Sequence, residues 1–163
     1  MLTNPYAAYQ KVATNSEQLR NQEPKKETIH KPTSPDTYAN RPSKASNQYL
    51  QNEVLTASPE KLTLMLYEGA IKFMRMSILH IRAKELAAAN TTLLRAQDII
   101  QALMASLDME QDVSRNLASL YEFMTHTLVE ANIHKDVTRI EQVIKMAGEL
   151  RDTWAEAMIV ART

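Results

Sequence analysis

A chain of 163 residues with 44% hydrophobic and 23% charged residues suits one domain built around a shared core. It contains no cysteine, which excludes disulfides, thiolate metal sites and cysteine nucleophiles. Lys and Arg number 19 and Asp and Glu number 19; seven basic residues stand against five acidic ones up to residue 58, and 12 against 14 after it, so there is no footprint for nucleic acid or an anionic membrane. No apolar run approaches the roughly 20 residues that span a bilayer, and the N-terminus lacks the charged-then-apolar layout of a signal peptide. These features predict a soluble cytoplasmic protein with no membrane insertion.

The N-terminal third is polar and broken by proline. All six prolines lie at or before Pro59, and the two glycines, Gly69 and Gly148, come after it. From Asn15 to Ser46 the apolar residues are too few to offset the entropy of ordering. Residues 1–46 are therefore expected to be a disordered extension and linker, and residues 47–163 a helical domain. Similar short phrases flank the linker, Asn4-Pro5-Tyr6-Ala7-Ala8-Tyr9-Gln10 and Asn47-Gln48-Tyr49-Leu50-Gln51-Asn52. Tyr6, Tyr9 and Tyr49 have two open readings: aromatic hooks that fold back onto the domain, or a frayed terminus and a short lead-in to the first helix. A linker of some 35 residues has an r.m.s. span of roughly 30 Å, enough to reach along a bundle.

The first long helix is expected from Pro59 to about Ala83, with Ser58 as N-cap and Pro59 at the first helical position, where no N–H is needed. Its apolar residues, from Leu62 to Met74, cover more than one face. The second, about Glu85 to Leu107, carries Leu86, Leu93, Ala96, Ile100, Leu103, Met104 and Leu107 at i, i+3, i+4 spacing, with Gln97, Asp98 and Gln101 assigned to the other face. After a polar break at residues 108–112, Asp112 or Ser114 can cap a third helix whose stripe is Leu117, Leu120, Tyr121, Met124, Leu128 and Ala131, ending near His134. Asp136 can cap the fourth, about Val137 to Ala161. Short connections predict an all-α fold, an antiparallel up-down four-helix bundle, with room for a short extra N-terminal helix around Tyr49.

Little on this scaffold suggests catalysis. The chain lacks the glycines of a phosphate loop, so no nucleotide site is expected. Glu122, His126, Glu130 and His134 form a ladder at i+4 spacing, but at about 100° per residue it lies roughly opposite Leu120, Met124 and Leu128 and faces solvent, whereas a metal site would need to point inward. No triad is available. The expectation is a non-enzymatic protein with no metal and no cofactor. What stands out is an excess of apolar surface on the first two helices and nine methionines, read either as core filler or as an adaptable groove for an amphipathic partner.

Several phrases occur in order: Thr56-Ala57-Ser58-Pro59, Leu62-Thr63-Leu64-Met65-Leu66-Tyr67-Glu68-Gly69, Ala96-Gln97-Asp98-Ile99-Ile100, Leu120-Tyr121-Glu122-Phe123-Met124, Ala131-Asn132-Ile133-His134-Lys135-Asp136 and Arg151-Asp152-Thr153-Trp154. Together they resemble the FliS family, the export chaperones of flagellin, over residues 47 to about 161. The opening phrase also resembles some members, in which it runs almost directly into the first helix; here roughly forty residues intervene. The resemblance implies a chaperone that binds the disordered C-terminal segment of flagellin, prevents premature polymerisation and releases its client at the export gate protein of the flagellar type III apparatus. A bundle adaptor for another helical protein is the alternative.

The matched phrases suggest Leu66, Ala70, Ile99, Ile100, Leu103, Tyr121, Leu128 and Asn132 as residues of a client groove, with Gly69 permitting close backbone approach. For each apolar member, groove and core are both open on sequence alone, and Asn132 is either a helix-end cap or a client contact. Tyr6, Tyr9 and Tyr49 are candidates for an N-terminal plug that the client displaces.

Overall fold

In the structure, a computed structural model, residues 52–161 are described. Four long helices account for most of them: α1 (Pro59–Arg82), α2 (Leu86–Ala105), α3 (Asp112–His134) and α4 (Val137–Val160). Residues 52–56 are also helical and lead into α1. Both predicted caps at the outer helices form. Ser58 accepts the Lys61 N–H at 3.3 Å ahead of Pro59, and the Asp136 carboxylate accepts the Arg139 N–H at 3.2 Å. The cap of α3 differs from expectation: Gln111 takes the N-cap position without a side-chain bond, while Asp112 is already helical and Ser114 is buried in the first turn.

Connectors of a few residues at 83–85, 106–111 and 135–136 reverse the chain each time. Helix α1 packs on α2 and α4, α2 on α3, and α3 on α4, so the antiparallel helices run around a square. This resolves the apolar breadth of α1. One flank meets α2, where Gly69 comes within reach of Ile99 and Arg95 stacks 5.5 Å from the Phe73 ring centre. The other meets α4, where Arg82 pairs with Glu141 at 3.6 Å and the Trp154 indole donates to the Glu60 carbonyl at 3.1 Å. The lead-in adds cover, since Val54 and Ala57 are buried and Lys61 bonds Glu53 at 2.8 Å.

The core runs down the centre of the square. Met74, Leu93, Ile100, Met124, Leu128, Ile140 and Val143 are fully buried, each contributing about 1.5–3 kcal/mol by leaving water. Alanines at positions 89, 96, 131 and 147 are equally buried and let the helix axes approach. Two expected stripe members fall outside: Leu86, in the first turn of α2, and Leu120, on α3, are both exposed. No helix among the described residues is long and apolar enough to cross a membrane.

Candidate functional site

The structure places the sequence-derived groove residues inside the molecule. Leu66, Ala70, Ile99, Ile100, Leu103, Tyr121 and Leu128 are each less than 5% exposed and belong to the central core. Gly69 is half-buried and faces α2, but a Cβ there would lie 3.4 Å from Ile99 Cδ1, an ordinary contact, so no close backbone approach depends on it. Asn132 holds helices together. Its amide donates to Asn90 Oδ1 at 2.7 Å, and its side-chain and main-chain oxygens accept from the Lys135 ammonium at 2.5 and 2.6 Å. That cation satisfies a carbonyl at the C-terminal end of α3 that has no helical partner. Tyr6, Tyr9 and Tyr49 lie outside the described residues.

Among the described residues, open apolar surface occurs on the outer side of the α2–α3 seam. The Asn90–Asn132 hydrogen bond marks the antiparallel register of the two helices. Two turns along each from that pair come Gln97 on α2 and Thr125 on α3, and both carry a buried polar atom, Gln97 Nε2 and Thr125 Oγ1, with no hydrogen-bond partner among the described residues. Beside them opens a groove of about 590 Å3, lined by Gln101, Met104 and Ala105 of α2 and by Glu122, Thr125, His126 and Val129 of α3. The short side chains of Ala105 and Thr125 leave the space open. Leu94, two turns before Gln101, and Ile133, one turn after Val129, continue the apolar strip; they are 47% and 67% exposed.

Gln97 corrects the sequence assignment. At about 100° per residue it falls beside Leu93 and Met104 on the α3-facing flank of α2, not on the solvent face, and it is only 7% exposed. The signal was a glutamine one turn after a core leucine and two turns before another apolar residue. The Glu122–His134 ladder lies toward solvent as the helical angle predicts, with Glu130 half-buried, and Glu122 and His126 rim the groove. Among the described residues no group of three or more potential ligands converges on a metal position. Two core tyrosines, Tyr67 and Tyr121, bond each other through their hydroxyls. Burial raises both phenols above their usual range.

An antiparallel four-helix bundle with an open apolar seam is an architecture suited to seating an amphipathic or extended segment. The sequence model of the family described as "Flagellar protein FliS" matches residues 42–161, and the chain belongs to that family. It is 37% identical over 110 residues to the flagellar secretion chaperone FliS of Bacillus subtilis (strain 168), covering 68% of this chain and 83% of the relative. It is 29% identical over 113 residues to the FliS of Escherichia coli (strain K12), covering 68% and 83%. The FliS of Campylobacter jejuni is 32% identical over 114 residues, covering 69% and 89%. A solved structure described as a flagellar chaperone from bacteria shares the fold, with a TM-score of 0.58 and 23% identity over 70% of this chain and 94% of that one.

Proposed function

We propose that this protein is a cytoplasmic export chaperone that holds the C-terminal segment of flagellin, keeps it from polymerising and hands it to the export gate protein of the flagellar type III apparatus. Membership of the FliS family and the names of its relatives support the role. The observation that carries the location is the α2–α3 seam: an open groove lined by Met104, Thr125 and Val129, continued by the exposed Leu94, with the unpartnered polar atoms of Gln97 and Thr125 beside it. Of the exposed large apolar residues, five sit on α3, namely Val113, Leu120, Phe123, Val129 and Ile133. A client wrapped around α3 covers them and gains about 25 cal/mol per Å2 of apolar area, against the entropy of ordering its chain.

Binding alone does the work in this reading, with no catalytic group or cofactor. The sequence-derived residues Ile100, Leu103, Tyr121 and Leu128 then act as the wall behind the groove, on the inner faces of the same two helices. The plug reading of Tyr6, Tyr9 and Tyr49 stands as a separate proposal: deleting residues 1–46 tightens client binding if Tyr6 or Tyr9 occupies the groove, and leaves it unchanged if Tyr49 does or if none does. The primary test is calorimetric titration of the full chain with a flagellin C-terminal peptide. Micromolar or tighter binding, about −8 kcal/mol or better, is expected; absence of binding refutes the reading and favours an adaptor for another helical protein.

A further inference from the structure

A second groove lies along α1 and α4, away from the α2–α3 seam. It has a volume of about 360 Å3 and a different character. Met76 and Leu79 supply apolar surface, while Lys72, Arg75 and Arg151 bring three positive charges against the single carboxylate of Glu68. Neither Lys72 nor Arg75 has an ion-pair partner among the described residues. Arg151 is steadied by its neighbour Asp152 at 2.7 and 2.9 Å. With Arg151 paired to Asp152, the excess of positive charge in this groove rests on Lys72 and Arg75.

Gly148 is the second observation. It lies one turn before Arg151 and two turns after Glu141, on the strip of α4 that faces α1, as the Arg82–Glu141 pair shows. A glycine in mid-helix weakens the helix relative to alanine and needs a reason. A Cβ at Gly69 would make an ordinary contact with Ile99, whereas a Cβ at Gly148 would meet no atom within 4 Å, and its φ is not positive. Nothing in the described fold requires a glycine there, so the reason is sought outside the chain.

We propose that the α1–α4 groove docks an acidic amphipathic segment of a partner protein, with its carboxylates against Lys72, Arg75 and Arg151, its apolar face on Met76 and Leu79, and its backbone passing close over Gly148. Charge excludes the obvious internal occupant, because residues 1–46 carry seven Lys/Arg against four Asp/Glu and are themselves basic. The site does not depend on the flagellin reading of the α2–α3 seam, and the two are tested with different ligands.

The probe is a synthetic amphipathic helix of about 20 residues with an Ala/Leu face flanked by Glu, titrated into the full chain and followed by amide NMR, with a Lys-flanked peptide of the same apolar face as control. The Glu peptide is expected to perturb amides around residues 72–79 and 148–151, to weaken with added salt, and to bind at least about tenfold more tightly than the Lys peptide. Gly148→Leu is expected to fold normally and lose about tenfold in affinity by blocking close approach, and Lys72→Glu with Arg75→Glu to lose at least as much. Should Gly148→Leu fail to fold, the charge-reversal variant decides. Equal binding of both peptides, perturbations on another face, or affinity unchanged in the folded variants overturns the proposal, as does binding of an RNA or anionic vesicle at this face in place of the Glu peptide.

Discussion

Tyr67 and Tyr121, 54 positions apart, meet in the core through their hydroxyl groups, with ring centres 6.4 Å apart and planes at 45°. Each hydroxyl is the other's buried partner. Replacing either with phenylalanine leaves one polar group unsatisfied and is expected to cost about 1–3 kcal/mol, while the double replacement costs less than the sum of the two singles. Denaturant titration of the three variants measures this. The pair also sets an alkaline limit. Because burial raises both phenols above the ordinary 10.0, the unfolded chain releases those protons first as pH rises. Their contribution is intact below about pH 10 and is lost above it, by up to about 1.4 kcal/mol per pH unit for each phenol. Stability measured from pH 8 to 11 should fall more steeply in the natural protein than in the double variant Tyr67→Phe with Tyr121→Phe.

Gln97 carries a second residue-scale prediction. Its unpartnered amide at the seam costs stability in the free protein, so Gln97→Met is expected to be neutral or stabilising by about 1 kcal/mol and to weaken client binding if the amide meets a peptide group. Thermal unfolding and peptide titration of the same variant separate the two effects. A variant more stable with unchanged affinity would show that the amide takes no part in binding.

At the scale of elements, the helix junctions hold two lysines in the left-handed region, Lys84 at φ 62 and Lys135 at φ 53. That conformation is unfavourable for a residue with a Cβ and easy for glycine. Lys84→Gly is expected to stabilise by about 0.5–1 kcal/mol, whereas Lys135→Gly gains nothing net because it removes the ammonium bonds to Asn132. Equal shifts of melting temperature in the two variants would contradict this. The His80–Glu85 bond at 2.6 Å adds to the α1–α2 junction and is left intact by the change at Lys84.

The elements themselves were legible because their signals are local. Ser58-Pro59 and Asp136 mark helix starts by their own chemistry, and the leucine and isoleucine stripes have one period. The site was less legible because burial depends on neighbours the stripe does not name. Leu103 and Met104 are adjacent in sequence and both apolar, yet Leu103 points to the core and Met104 to the groove. Ile99 and Leu66 are buried because α1 and α2 cover each other, a contact that neither helix's own stripe specifies. That Gln97 and Thr125, each with an unpartnered polar atom, fall at the same level of the seam follows from the helix register, which the Asn90–Asn132 bond marks between residues 42 positions apart.

At the scale of the whole molecule, two grooves among the described residues differ in character, an apolar one on α2–α3 and a basic one on α1–α4. A single bundle of this kind can hold a client on α2–α3 while a partner engages α1–α4. Client binding on the outer side of the first seam is decided by comparing a rim residue with a core residue of that seam. The flagellin C-terminal peptide is titrated by calorimetry into the natural protein, into Val129→Asp and into Leu103→Ala, with melting temperatures recorded for all three. Val129 is 38% exposed at the rim and Leu103 is 1% exposed behind it. Val129→Asp is expected to keep the melting temperature and weaken binding at least about tenfold, about 1.4 kcal/mol, while Leu103→Ala destabilises by about 2–5 kcal/mol and binds close to normally where it remains folded. Natural affinity in Val129→Asp, or no binding by the natural protein, would contradict a client site on this seam.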